Sequence, residues 1–158
     1  MPGKKIMLLF LIIVAMLSSC SNVSDSSNEA LLEASDIAGY RIATLTYLPA
    51  EFKERQSIEV HEKKVGDLPP LVTQIWNSEE PGHFLLLQQD PNLRGLGNSE
   101  PIEIRGVPGE KNYREPTGES LPILTLFWRE GEMSFTLTGT LSGSLDEETM
   151  YKIAESVK

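Results

Sequence analysis

LPILTLFWREGEMSFTLTGTL, residues 121–141, is the stretch that decides the fold of this chain. Two runs rich in leucine, threonine and aromatic residues, Leu121–Trp128 and Met133–Leu141, are joined by a short polar link, Arg129–Glu132. Such runs around a short turn predict an antiparallel hairpin. In the second run, apolar and hydroxyl side chains alternate, with Met133, Phe135 and Leu137 on one face and Ser134, Thr136 and Thr138 on the other. The sequence therefore predicts a sheet with two chemically different faces.

Further strands are predicted before this hairpin. Short runs of strand-like composition, bounded by turns, cover Tyr40–Tyr47, Ser57–Glu62, Leu71–Trp76, His83–Gln89, Ile102–Val107 and Glu110–Glu115. The His83–Gln89 run is apolar on both faces, which predicts a central strand. A turn is predicted at Pro108-Gly109, and the longest predicted loop is Asp90–Pro101, which contains two glycines.

Two helices are predicted at the ends of the domain. Asn28 is the predicted N-cap of a short helix that ends at Ala38, before Gly39. Near the C-terminus, Ser144 and Glu147 have the spacing of a capping box for a helix over 145–157. Its apolar residues recur with helical spacing, at Met150, Ile153, Ala154 and Val157. Such a stripe must pack on an apolar surface, which the sheet provides.

These elements together predict an α+β fold. We expect a single curved antiparallel sheet of about six or seven strands, with the 145–157 helix packed on one face and a short N-terminal helix. The domain is predicted to span residues 28–158, after a cleaved signal peptide at 1–19 and a flexible serine-rich tether at 20–27. Cleavage would leave 139 of the 158 residues, enough for one domain with a core.

The first twenty residues predict where the protein works. Lys4 and Lys5 precede an unbroken apolar run of 12 residues, Ile6–Leu17, which is shorter than the roughly 20 residues of a transmembrane helix. The run ends in Leu17-Ser18-Ser19-Cys20, which resembles a bacterial lipobox. The alternative is an ordinary secretory signal with an incidental cysteine. We expect lipidation of Cys20 and attachment to the cell membrane, on its extracytoplasmic side, through palmitate-type acyl chains.

Charge narrows the range of partners. Removing Lys4 and Lys5 with the signal leaves 12 basic against 23 acidic residues, a net charge of −11. Phosphates would repel so acidic a protein, so nucleic acid is not an expected partner. Flat adsorption to anionic lipid is disfavoured for the same reason, and the acyl chains are expected to be the membrane link. Cys20 is the only cysteine, which excludes an internal disulfide.

Four segments together resemble a known bacterial domain. They are YLPAEF at 47–52, LFWREG at 126–131, FTLTG at 135–139 and IAESV at 153–157. In this order they resemble an extracytoplasmic domain of unknown function that occurs in lipoproteins and at the outer ends of membrane-bound anti-sigma factors. Val157 replaces the family's usual leucine. The resemblance covers roughly Tyr40–Lys158 and implies an α+β domain in the cell envelope, without established catalytic residues.

No motif in the sequence predicts catalysis, a metal or a cofactor. His61 and His83 would form a metal site only if they converged with a carboxylate, which their spacing does not require. The chain has no Gly-x-Ser-x-Gly turn, and the glycines of the Arg94–Asn98 segment do not follow the pattern of a phosphate loop. Carboxylate pairs such as Glu79 and Glu80 lie in predicted turns, where acids are usually only solvated. We therefore expect a protein that is not an enzyme.

The two tryptophans are the strongest candidates for a binding patch. Trp128 shares a strand face with Leu124 and Leu126, and Trp76 lies on a neighbouring run. One interpretation places all four side chains in the core. The other places them on a sheet face that one C-terminal helix cannot cover, as aromatic anchors in a groove beside the 90–101 loop. The acidic composition predicts a neutral or basic partner for such a groove.

These observations leave three hypotheses for function. The first is a non-catalytic, lipid-anchored envelope module that binds a protein or lipid, or senses the state of the envelope. The second is a hydrolase of envelope polymers, which an open groove with paired carboxylates would favour. The third is a lipid or lipoprotein carrier, which needs an apolar cavity between sheet and helix. The sequence does not predict an oligomeric state.

Overall fold

The computed structural model describes residues 23–52, 54–55, 57–62 and 67–158, with side chains from residue 28 onward. The predicted signal peptide and Cys20 lie outside these residues. The described residues form two α-helices, one 3-10 helix and seven strands. The helices are α1 (Val23–Ala38) and α2 (Glu147–Glu155), and the 3-10 helix is Ala50–Phe52. The strands are β1 (Ser57–His61), β2 (Leu71–Asn77), β3 (Phe84–Asp90), β4 (Glu100–Ile104), β5 (Val107–Arg114), β6 (Ile123–Glu130) and β7 (Met133–Thr140).

The seven strands form one antiparallel sheet in the order β1-β2-β3-β7-β6-β5-β4. The predicted hairpin is confirmed as β6 and β7, in a register that pairs Leu126 with Leu137 and Trp128 with Phe135. The predicted central position of the His83–Gln89 run is also confirmed, because β3 lies between β2 and β7. The α+β prediction is therefore confirmed, with one open antiparallel sheet of seven strands and a helix near each end of the domain.

Two-residue turns fix the register of two hairpins. Between β6 and β7, Gly131 has a φ of 60°, which suits the first position of a type II′ turn. Between β4 and β5, Arg105 and Gly106 have φ values of 56° and 76°, which indicate a type I′ turn. The turn predicted at Pro108-Gly109 was therefore wrong, since both residues lie within β5 and the chain reverses at Arg105 instead.

Both helices cover the same face of the sheet, which we call the helix-covered face. At one end, Met150, Ile153 and Ala154 of α2 are fully buried on a core cluster built around Leu126 and Leu137. At the other end, Ala34 and Ala38 of α1 are buried with Val72 of β2. Burying a side chain the size of leucine or methionine contributes about 1.5–3 kcal/mol. These contacts are thus large enough to fix where the helices lie.

The start of α2 differs from the sequence prediction. Asp146, not Ser144, is the N-cap, and its carboxylate accepts a hydrogen bond of 2.7 Å from the Thr149 N–H. Hydrogen bonding to the Thr149 side chain, and then to its backbone N–H, lowers the pKa of Asp146. The capping box between Ser144 and Glu147 was wrong, because a β-bridge between Ser142 and Leu145 forms a tight turn immediately before the helix. An acidic N-cap also suits the positive end of the helix dipole.

The first helix is longer than predicted. It begins at Val23, so Asn28 is an interior residue and not the N-cap. Val23–Ser27 were predicted as part of the flexible tether, but they form the first turns of α1. The predicted end is confirmed, since the helix stops at Ala38 and Gly39 takes a left-handed φ of 74°. The described part of the predicted tether, residues 23–27, is therefore helical.

The strand predicted at Tyr40–Tyr47 does not join the sheet. This segment lies on the helix-covered face, and its buried residues Ile42 and Ala43 belong to the two core clusters. It pairs with the end of the chain instead: Thr44 and Lys158 exchange two backbone hydrogen bonds of 3.0 Å, and Leu45 bridges to Val157. Composition alone could not separate an extended covering segment from a strand of the sheet.

Two buried glutamines hold the covering segment to the sheet. Gln89 of β3 accepts a hydrogen bond of 2.7 Å from the Ala43 N–H and donates one of 3.2 Å to the Arg41 carbonyl. Gln74 of β2 donates a hydrogen bond of 2.8 Å to the Ala43 carbonyl. Gln74 is only 1% exposed and Gln89 only 2%. Their amides replace the strand partner that the segment lacks, so its buried backbone groups remain satisfied.

Candidate functional site

The four residues predicted as a binding patch belong to the core. Trp76 is 3% exposed, and Trp128, Leu124 and Leu126 are 0% exposed. The register places all four on the helix-covered face, under α2 and the residues that precede β1. The prediction of an exposed aromatic patch was therefore wrong. Its premise, that the helices would leave this face bare, failed because both helices pack on the same side as the tryptophans.

Trp128 also has a structural hydrogen-bonding role. Its indole stacks on Phe135 with ring centroids 5.2 Å apart, and its Nε1 donates to Glu130 at 3.0 Å. Glu130 forms an ion pair of 3.2 Å with Arg105. The Arg105 guanidinium also donates a hydrogen bond to the carbonyl of Val157. The left-handed conformation of Arg105 thus directs its side chain toward the end of the chain. This network links the core tryptophan to the C-terminal residues.

On the opposite face of the sheet, none of the described helices packs. Here the strands present threonine, glutamine and aliphatic side chains in alternation with the core residues. The partly exposed residues in its central part form what we call the open strip: Ile75, Phe84, Leu86, Ile123, Thr125 and Thr138. All six are uncharged, in a chain with a formal net charge of −9. The open strip is therefore a neutral surface on an acidic protein.

The loop that joins β3 to β4 covers another part of this opposite face. Glu110 of β5 anchors it, accepting hydrogen bonds from the Leu96 N–H at 2.8 Å and from the Ser99 hydroxyl at 2.7 Å. Ser134 donates to the Leu93 carbonyl at 2.7 Å, and Phe127 is only 5% exposed. The predicted groove between the tryptophans and this loop was therefore wrong, because the tryptophans lie on the helix-covered face and the loop lies on the opposite one. The loop forms one border of the open strip.

An acidic cleft lies at the β2–β3 end of the sheet, beside the 3-10 helix whose Phe52 packs in the core of the helix-covered face. It has a volume of about 720 Å³ and lies between the 3-10 helix and the β2–β3 turn. Its lining residues are Ala50, Glu51, Glu54, Asn77, Ser78, Glu79 and Glu80. None of these described lining residues is basic. Asn77 ends β2 at this turn, whereas Glu51 and Glu54 belong to the segment that packs on the helix-covered face, so the cleft borders that face.

The histidines do not converge. His61 lies 3.3 Å from Glu59 on β1, and His83 lies 3.4 Å from Glu80 at the β2–β3 turn. Among the described residues, no group of three or more His, Cys, Asp or Glu side chains could hold a metal ion. Each histidine thus contacts a carboxylate near it in sequence, which is a local surface or turn contact.

The buried glutamine cluster is polar but offers no reactive group. Arg55 donates to Gln74 at 3.0 Å, and burial lowers the pKa of Arg55. Burial and the nearby charge of Asp90 raise the pKa of Tyr40 to about 12. The Tyr40 hydroxyl donates to the carbonyls of Pro70 and Gln89, at 2.8 and 3.1 Å. A phenol with this pKa and these acceptors stays protonated at neutral pH and has a structural role.

The sequence did not single out the residues of the open strip. The sequence signal for the open strip is the alternation within Leu71–Trp76 and His83–Gln89, where Ile75, Phe84 and Leu86 occupy the positions between core residues.

No described helix is long and apolar enough to span a membrane. No protein-family model, curated protein or solved structure matches this chain.

Proposed function

We propose that this protein is a lipid-anchored envelope module that binds a neutral or basic partner through the open strip, without catalysis. Anchoring rests on the lipobox at Cys20, and location in the envelope on the resemblance to the extracytoplasmic lipoprotein domain. A role in reporting the state of the envelope would fit a module of this kind. The proposed partner is a protein of the envelope.

The observation that carries this proposal is the one-sided cover of the sheet. Both helices and the 40–47 segment pack on one face, while the central part of the other keeps partly exposed Ile75, Phe84 and Leu86. A two-layer domain normally buries one sheet face and leaves the other to solvent, with mostly polar residues there. Here the three large apolar side chains of Ile75, Phe84 and Leu86 lie among the polar ones. Clusters of this type often mark a contact site.

The other two hypotheses have weaker support. The acidic cleft provides the grouped carboxylates that a hydrolase would need, but the Glu80 side chain is 75% exposed. A general acid in a glycosidase is usually held in a desolvated site. A carrier would need space between sheet and helix, where Leu126, Ile153 and Met150 are all 0% exposed. Binding on the open strip requires neither a desolvated carboxylate nor an internal cavity, so it has the stronger support.

Lipidation gives the first prediction. Cys20→Ala removes the only thiol that can form the thioether to diacylglycerol, so we expect the signal peptide to remain and lipid labelling to be lost. The measurement is incorporation of radiolabelled palmitate, together with the electrophoretic mobility of the protein. Ser21→Ala, just outside the lipobox, is the matched control and should label normally. A labelled Cys20→Ala protein would show that the lipobox interpretation is wrong.

Binding through the open strip gives the second prediction. A photo-crosslinking phenylalanine analogue at Phe84 should yield an adduct of defined mass in intact cells, because this side chain lies on the strip. The same analogue at Tyr47 is the control: this residue is 43% exposed but lies on the side of the helices. The absence of an adduct at Phe84, or the same adduct at both positions, would contradict the proposed function.

A further inference from the structure

We propose that residues 93–99, in the loop that joins β3 to β4, form a lid that opens while the sheet stays folded. Glu110 is the latch that holds this lid closed, and opening uncovers Phe127 and Thr136 beside the open strip. The biological use of the lid rests on the proposed function: a partner of the open strip would meet a shorter surface when the lid is closed and a longer one when it is open.

The path of the lid crosses β6. At one end, the Leu93 carbonyl accepts a hydrogen bond from Ser134 of β7, and at the other, the Leu96 N–H donates one to Glu110 of β5. Because β6 lies between β7 and β5, the two contacts are two strand spacings apart across the sheet, about 10 Å. An extended chain advances about 3.3 Å per residue, so three residues span this distance. Leu93 and Leu96 are three residues apart, and the chain between them therefore lies across β6.

Phe127 of β6 lies beneath this crossing. It pairs with both Glu110 and Thr136, so the three side chains form one row on the face on which none of the described helices packs. Phe127 and Thr136 are nevertheless buried, whereas Thr125 and Thr138, the next pair along the same two strands, are partly exposed. The lid accounts for this difference. Its opening would add the row of Phe127 and Thr136 to the open strip.

The lid is fastened to the sheet by side chains. Of its described hydrogen bonds to the sheet, Glu110 accepts two, and Ser134 and Asn112 each donate one to a lid carbonyl. Residues 93–99 form no helix, strand or hydrogen-bonded turn, and none of them is buried. Segments with few buried contacts and no ladder of backbone hydrogen bonds open locally, at a lower free energy than the whole fold. The lid can therefore leave the sheet without disturbing the core on the other face.

Glu110 is the strongest of these attachments, because hydrogen bonds to a carboxylate are stronger than those between neutral groups. Gly95 approaches this carboxylate closely: a Cβ at position 95 would lie 2.6 Å from Glu110 Oε1. Even a methyl group there would push the carboxylate away from the Leu96 N–H and the Ser99 hydroxyl. Substitutions at 95 and at 110 thus provide two independent ways to loosen the latch.

The test measures lid opening by thiol labelling of the full chain carrying Cys20→Ala, in a neutral detergent. Thr136→Cys is then the only thiol, and the uncharged reagent dithiodipyridine reports its exposure. Thr136→Cys should react more slowly than Thr138→Cys, which lies on the open strip. It should react at least about 100-fold faster than Ala154→Cys, which is 0% exposed in α2 and is reached only on unfolding.

Variants of the latch should change this rate in a specific way. Glu110→Gln and Gly95→Ala should each speed the labelling of Thr136→Cys by about tenfold, since each weakens the hydrogen bonds that close the lid. Neither should change the rate at Ala154→Cys, which checks that the fold is retained. Glu103→Gln removes the same charge from an exposed position on β4 and should leave the rate within about twofold.

Three outcomes would overturn the lid. Labelling of Thr136→Cys only at the rate of Ala154→Cys would mean that this row is uncovered by global unfolding alone. Labelling as fast as Thr138→Cys would mean that residues 93–99 do not cover it, and equal acceleration by Glu103→Gln would exclude Glu110 as the latch. These results do not depend on the Phe84 crosslink in cells. If that crosslink fails while the lid opens, only the proposed function is wrong; if it forms while the lid stays shut, only the lid is wrong.

Discussion

Replacing Ile153 by aspartate is expected to lower the free energy of unfolding by about 4 kcal/mol or more, the largest effect of any substitution considered. Ile153 is 0% exposed and packs in the core cluster beneath α2. Aspartate would leave a carboxylate there without a partner, as well as the cavity that a smaller side chain creates. Ile153→Ala isolates the cavity contribution, which is about 2–5 kcal/mol for such truncations.

Chemical denaturation monitored by tryptophan fluorescence provides the measurement. Glu155→Asp is the matched control, because it also places an aspartate in α2, but at an exposed position. Its effect should stay within about 0.5 kcal/mol. An unchanged midpoint for Ile153→Asp would mean that α2 does not pack on the sheet, and the description of the helix-covered face would have to be abandoned.

Replacing Gln89 by leucine is expected to cost about 2 kcal/mol, although leucine is similar in size and more hydrophobic. The substitution removes the acceptor for the Ala43 N–H and the donor to the Arg41 carbonyl, and it leaves the Ala43 N–H buried without a partner. The unmade hydrogen bonds outweigh the gain in apolar surface. Gln74→Leu should have a similar cost, since its amide holds the Ala43 carbonyl.

The neighbouring residue provides a close control for this prediction. Gln88 lies on the opposite face, is only partly buried and makes one weak hydrogen bond, of 3.3 Å, to Thr73. Gln88→Leu should therefore change stability by less than about 0.5 kcal/mol. Hydrogen exchange adds a local readout: the Ala43 amide should lose protection in Gln89→Leu while the Leu137 amide keeps it. Equal effects of the two leucine substitutions would contradict the proposed role of Gln89.

Combining Gln74→Leu with Gln89→Leu should cost less than the two single substitutions added together. Both side chains hold the same residue, Ala43, so loss of either weakens the attachment that the other maintains. Once both are absent, the segment can detach and solvate its backbone, which limits the penalty. Strict additivity would mean that the two glutamines act independently.

The elements with strong periodicity were predictable from the sequence. The β6–β7 hairpin, the central position of β3 and the apolar stripe of α2 follow from alternation or helical spacing. These patterns are visible in the sequence because each strand or helix buries one face of its own side chains, whichever element packs against it. The type I′ turn at Arg105 was missed, since arginine rarely takes a left-handed conformation and the Pro108-Gly109 pair has a stronger turn signal.

The assignment of faces was not predictable from the strands alone. Trp76 and Trp128 lie on one face and Ile75 and Phe127 on the other, and both sets are apolar. Alternation reveals which residues share a face but not which face the helices select. That choice depends on packing between α1, α2 and the 40–47 segment, whose contacts lie far apart in the sequence. The candidate patch was therefore assigned to the wrong side of a correctly predicted sheet.

The pairing of Thr44 with Lys158 has a consequence for how the protein reaches its native state. Residues 157 and 158 close the layer over the sheet, so this layer can form only after they have been synthesised. Contacts between segments so distant in sequence also slow folding. Late closure of this layer would suit passage through a translocation pore, which requires an unfolded polypeptide. Under the proposed envelope location, the same contact that stabilises the domain would delay folding until export is complete.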